Sequence, residues 1–293
     1  MMILVGLLIV FGMVFGGYLL SGGSMEVMLH ALPFEGMMVG GAALGAFVIA
    51  NNFNTLKMAG GAVFRSIKGP RWKNDDYMDL LMLLYELAKL YNQRGVQGIE
   101  QHIENSESSS IFSKYPRIAR DHHTRCLIVD SFRLLLMQFD DPHEMEDIIN
   151  RRLEAHHRHA HEPIHALAMV SDGLPAIGIV AAVLGVIKTM ASIDKPPEIL
   201  GTMIGGALVG TFLGVFLAYC LVTPIAQRVA QIEKSDAGFG EVIRDVIVAI
   251  MKGHAPSIVL EIGRGSTPTD VQPEFDAVEL KAKEIKVGNE QAA

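Results

Sequence analysis

Five histidines are the densest group of side chains capable of chemistry in this chain. His157, His161 and His165 lie four apart, with His156 and His159 beside them. Histidines at i and i+4 share a helix face and can ligate zinc. Pro163 interrupts that register, and no nearby Cys completes a ligand set. The cluster therefore reads as a solvated face, with metal binding the minor alternative, and no metal is expected. Elsewhere there is no P-loop, no Gly-x-Ser-x-Gly and no paired CxxC, so an enzyme is disfavoured and no cofactor is implied. Cys126 and Cys220 fall in a polar and an apolar stretch and are expected to stay reduced.

The elements that must carry any function are apolar. Four membrane-length stretches run Met1 to Met25, Gly36 to Asn54, about Ala166 to Met190, and Ile199 to Gln227, in a chain that is 50% hydrophobic yet 19% charged. A bilayer core needs about 20 helical residues, and inside it backbone groups must be paired within the helix. The fold class is therefore all-α: a polytopic membrane protein with four transmembrane helices and a helical cytoplasmic domain. Met1 to Leu20 has no basic n-region and no convincing cleavage site before Ser24, so it reads as a retained first helix. The boundaries are 1–54 for the first helix pair, 55–165 for the cytoplasmic region, 166–228 for the second pair, and 229–293 for a cytoplasmic helix and a mobile tail.

Lys57, Arg65, Lys68, Arg71 and Lys73 follow the second span and Arg151, Arg152 and Arg158 approach the third, whereas the short loops near Ser24 and Asp194 carry only Lys195. The positive-inside rule then puts the long middle segment and both termini in the cytoplasm. A net charge of -7 without a basic patch argues against nucleic acid.

Small residues recur at helical spacing: Gly12 and Gly16 in the first span, Gly36, Gly40, Gly41 and Gly45 in the second, and Gly201, Gly205, Gly206, Gly210 and Gly214 in the fourth. Such spacing lets backbones approach closely, so the fourth span is expected to pack tightly against another helix, within the chain or across a subunit interface. No span carries an ionisable carboxylate at mid-depth on these boundaries. Asp172 reads equally as an interfacial helix-end charge or a functional one. If the protein handles ions, a partner must supply the titrating group.

Between the pairs, Tyr77 to Tyr91 reads as a helix with Leu80, Leu83, Leu84 and Leu87 on one face, ended or kinked at Gly95. Asn105 to Ser110 reads as a loop and Tyr115-Pro116 as a boundary. Asp141-Pro142-His143-Glu144 has the form of a capped helix start, the helix running toward His161. From Gly265 on, polar composition with Pro268 and Pro273 suggests a mobile tail.

Several of these stretches resemble the MotA family of flagellar motor stator subunits. The third span, Asp172-Gly-Leu-Pro-Ala-Ile-Gly-Ile-Val-Ala-Ala-Val-Leu to Ile187, is similar to its third span. So is Val209-Gly-Thr-Phe-Leu-Gly-Val-Phe-Leu-Ala-Tyr with Thr223-Pro224 to its fourth. Further matches are Phe15-Gly-Gly-Tyr-Leu, Gly22-Gly23-Ser24, Tyr77-Met-Asp-Leu-Leu, Ile103-Glu-Asn and Tyr115-Pro-Arg-Ile, so the resemblance reaches to about Arg264.

The resemblance implies a multi-pass protein of the bacterial inner membrane, forming a homopentameric ring around a MotB-like subunit whose membrane aspartate binds the ion. Ion flow would turn the ring against the rotor protein FliG. It gives Pro175 and Pro224 the roles of prolines beside the ion path and at the cytoplasmic end of the fourth span, where a freed carbonyl suits a hinge and a static kink is the alternative. Thr211 takes a pore-facing position, against a hydroxyl bonded back to its own helix. Sodium-driven relatives place a threonine where Ala182 stands, and a methyl offers no oxygen to Na⁺, so proton coupling is expected. Glu100 matches a rotor-facing acid. The family's basic partner falls at Asn92, leaving Arg94 and Lys89 as nearby substitutes. Two rivals remain: an ExbB/TolQ-like energiser of an envelope system, whose usual three-span topology lacks this N-terminal hairpin, and a structural membrane scaffold.

Overall fold

The computed structural model describes residues 2–285. Among them every regular element is helical: α1 Met2–Leu20, α2 Met25–Ala50, α3 Phe53–Lys68, α4 Asn74–Arg94, α5 Val96–Glu104, a 3₁₀ turn Phe112–Lys114, α6 Pro116–Arg120, α7 His122–Leu136, α8 Pro142–Met190, α9 Pro197–Phe216, a π-helical segment Leu217–Val222, α10 Thr223–Met251, α11 Pro256–Gly265 and α12 Phe275–Glu284. Four helical runs are long and apolar enough to cross a membrane: α1, α2, α8, and α9 continued through the π segment into α10. The chain is a multi-pass membrane protein. It divides into two compact units, one of residues up to Gly69 with Ala160–Ile232, the other of Pro70–His159 with residues from Glu233 onward.

In the first unit the helices obey local rules that a charge count does not see. The Ser24 hydroxyl accepts from Glu26 N and starts α2 at Met25, so the second span begins well before Gly36. Pro33 and Glu35 are thereby inside it. This corrects the expectation that no span carries a carboxylate at depth: Glu35 sits about 15 Å along the helix axis at 1.5 Å per residue. Asn52 Oδ1 accepts from Thr55 N at 2.8 Å and begins α3.

The expected break between a cytoplasmic helix ending near His161 and a separate third span is also absent. Asp141 Oδ1 accepts from His143 N and Glu144 N, Pro142 takes the first helical position, and the helix runs 49 residues without interruption. Pro163 and Pro175 lie inside it. A proline removes one donor, and the bonds on either side carry the helix past it.

Trp72 stacks on Phe239 in the second unit at 4.1 Å, with the Tyr77 ring edge-on to Phe239 at 5.1 Å. Along α4, Tyr77, Leu80, Leu81, Leu83, Leu84 and Leu87 are fully buried and build the core with Phe112, Phe132 and residues of α10. Gly95 ends α4 with φ +61, a value that glycine adopts without a Cβ penalty. The segment after Gly265 is not a mobile tail as far as residue 285. In α12, Val278 and Ala282 are buried, and Lys89 Nζ donates to Ile285 O at 3.0 Å. The tail's final residues lie outside the described ones. Cys126 and Cys220 are unpaired, as expected.

Candidate functional site

The third and fourth spans meet backbone on backbone. A Cβ placed on Gly178 of α8 would lie 2.8 Å from Gly210 O and 3.1 Å from Gly214 Cα; one on Gly214 would lie 2.6 Å from Leu174 O. Farther along, a Cβ on Gly185 would lie 2.5 Å from Ala207 Cβ. Only small residues permit such a seam, and it is the tight packing that the glycine spacing of the fourth span predicts. On another side of α9, α2 closes the same bundle, with Val27 against Gly205, Ala31 against Gly206 and Leu213 against Gly36. Phe11 and Phe15 hold α1 to α9 through edge contacts of 5.3 to 6.1 Å with Phe212 and Phe216.

At one end of the seam both prolines acquire a structural meaning. Pro224 cannot donate to the residue four before it, and the π-helical segment precedes it directly, with Thr223 N bonding Ala218 O five residues back. That same Ala218 carbonyl accepts from Ser171 Oγ at 3.1 Å, and Ser171 Oγ lies 2.5 Å from Thr223 Oγ1. Ser171 is four residues before Pro175, so its carbonyl is the one that Pro175 leaves without a helical donor. One buried hydrogen-bond node therefore ties the two proline positions together. Sequence reasoning found the prolines, named Thr223 only as part of the Thr223-Pro224 match, and missed Ser171.

Ala182 and Thr211 flank the seam at Gly210. A Cβ there would lie 3.3 Å from Ala182 N and would collide with Glu35 Oε2. Both residues are half-buried, and among the described residues Thr211 Oγ1 makes no hydrogen bond back to its helix. Glu35 is 6% exposed, and its Oε2 has no hydrogen-bond partner. Asp172 is exposed.

In the second unit, Arg94 and Glu100 are both exposed and flank the break at Gly95. Lys89 is half-buried and engaged with Ile285 and the Tyr85 ring. Glu86, buried, accepts from Tyr115 Oη at 2.8 Å and from Lys114 Nζ at 2.7 Å, and burial together with this carboxylate pushes the Tyr115 phenol well above its usual range. Of the histidines, His156 stacks face to face on His123 at 3.7 Å. Withdrawal of the ring faces from water, then the neighbouring His123, His157 and His159, lower His156 to about 4. No three His, Cys, Asp or Glu side chains converge as metal ligands among the described residues.

Four spans, a backbone-packed pair of them and a hydrogen-bonded proline node define a polytopic helical membrane protein. The model described as Motility protein A N-terminal matches residues 4–95, and that of the MotA/TolQ/ExbB proton channel family matches residues 120–236. Motility protein A of Salmonella typhimurium is 37% identical over 99% of this chain and 98% of its own length. The solved structure of C. jejuni MotAB superposes with a TM-score of 0.71 at 18% identity, covering 91% of this chain and 95% of that one. The flagellar MotAB stator complex from Bacillus subtilis superposes at 0.67 with 21% identity over 94% and 98% of the two chains. The chain belongs to the motility protein A family, and is a subunit of a flagellar motor stator. Its first 95 residues carry the match that the energiser reading could not explain.

Proposed function

We propose that this chain forms, with a MotB-like subunit whose membrane aspartate carries the ion, the proton channel of a flagellar stator in the bacterial inner membrane. The chains assemble as a pentamer around the partner's helices, with both termini in the cytoplasm. Protonation and release at the partner's aspartate are relayed through Pro175 and Pro224, and residues 55–165 push on FliG through Glu100 and Arg94. Lys89, held by Ile285, supports that region from within. Ala182 supplies a methyl and no oxygen beside the path, which favours protons over sodium.

The observation that carries this reading is the Ser171–Ala218–Thr223 node, which makes the two prolines one mechanical unit beside a seam without slack. The energy scale is sufficient, since one charge crossing 100 mV releases about 2.3 kcal/mol. Deleting the gene tests the assignment. Cells that keep their flagella but cease to swim, and that swim again when the chain is restored, support the stator; intact swimming with envelope or iron-uptake defects contradicts it.

A further inference from the structure

Glu35 is a buried carboxylate that the hinge mechanism does not use. It opens on a cavity of about 550 Å³ lined by the N-terminal part of α2, the C-terminal end of α8 and the start of α9. Those three ends adjoin the two short connections, Ser21–Ser24 and Ala191–Pro196, so the cavity lies at the end of the bundle away from the Ser171 node. Its ionisable lining is His30, Glu35 and Lys188. Thr189 and Thr202 also line it, but their hydroxyls donate to Gly185 O and Glu198 O of their own helices. Lys188 is within electrostatic reach of Glu35.

Glu35 Oε2 is aimed at Gly210, where the absent Cβ makes the room for it, and Ala182 N borders the same gap. An ionisable group at this depth is costly to keep, and a buried acceptor without a donor is costlier still. Neither cost serves packing, because a methionine or glutamine would fill the volume. A group that alternately takes and gives a proton accounts for both features.

Resting on the proton-channel reading, we propose that Glu35 is a second protonatable site of the ion path, contributed by this chain and placed in series with the partner's carboxylate. The Glu35 carboxylate takes a proton from hydronium in the cavity, leaving water, and gives it up to the partner's carboxylate, which becomes the acid. His30 and Lys188 set the charge at the mouth, so entry is tuned by their protonation.

The test is proton flux into vesicles holding the complete complex, across a pH series on the cavity side, for the native chain, Glu35→Gln and Glu35→Asp. Glu35→Gln is expected to lower flux by about a hundredfold, the low end of what a positioned proton-transfer group contributes, and to weaken its pH dependence, with Glu35→Asp retaining most of both. An infrared acid-minus-base difference spectrum, recorded with the partner's aspartate changed to Asn, should hold a carboxyl band that Glu35→Asp shifts and Glu35→Gln removes. Should Glu35→Gln fail to assemble, the band in the native and Glu35→Asp complexes decides alone. Native-like flux in Glu35→Gln, or a spectrum without such a band, overturns the inference and leaves the stator assignment standing. A native complex that moves no protons overturns the proton-channel reading, and the relay with it.

Discussion

Ser171 shows how a single hydroxyl can connect two helices. Ser171→Ala is predicted to lower thermal stability in detergent by about 1 kcal/mol, the usual net worth of one hydrogen bond. It should reduce swimming speed while the stator still assembles, whereas Thr223→Ser keeps the node and the speed. The sequence did not disclose this node because a serine in an apolar helix commonly bonds its own backbone, and only the π register at Leu217–Val222 presents Ala218 O to it. The Tyr115–Glu86 contact makes a second residue-scale case. Tyr115→Phe leaves a buried carboxylate short of a donor and should cost about 1–3 kcal/mol in chemical denaturation. His156 supplies a pH dependence. Because its folded value is about 4, below the ordinary 6.5, the unfolded chain binds the proton more tightly; stability is complete above about pH 6.5 and is lost as pH falls toward 4. His156 remains exposed as a residue, which holds the effect to about 1 kcal/mol, and His156→Gln should flatten that part of the stability–pH curve.

Among the elements, the seam between α8 and α9 is the most demanding structure. Gly214→Ala drives a methyl against Leu174 O and should destabilise the solubilised protein by about 1–3 kcal/mol. Gly60→Ala, in open space on α3, should be neutral or stabilising by about 1 kcal/mol through helix propensity. Equal losses in both variants would show that the seam is not what the glycines serve. Much of this level was legible. Uninterrupted apolar runs marked the first and fourth spans, the Leu80–Leu87 periodicity marked α4, and Asp141-Pro142 marked the start of α8. What escaped was continuity. Counting charges began the second span after Glu35 and hid a buried acid; ending the cytoplasmic helix near His161 and starting the third span near Ala166 divided α8; and polar composition after Gly265 concealed α12, whose few apolar residues, Val278 and Ala282, suffice to dock it. The first two misses share a physical origin, because the backbone bonds of a helix continue past an isolated acid or proline.

For the whole molecule the central question is where the charge travels. α1 has no buried residue, and Leu8, Leu44 and Tyr219 are 75%, 65% and 62% exposed, so large apolar faces of the spans are available to lipid and to other subunits. The proposed ring uses them, with the partner's aspartate as the carrier and this chain as the body that moves. The span count was readable from the four apolar runs, and the family from the Asp172–Ile187 and Val209–Tyr219 stretches taken together with the N-terminal and cytoplasmic matches. The partner, the ring and the rotor contact were not, since each depends on surfaces that one chain leaves open. The most direct measurement is proton flux in vesicles containing this chain and its MotB-like partner, beside the same complex with the membrane aspartate changed to Asn. The predicted result is flux that requires both chains and that aspartate. Sodium flux in place of protons would contradict the Ala182 argument, and a verified complex that conducts neither ion would contradict the channel itself.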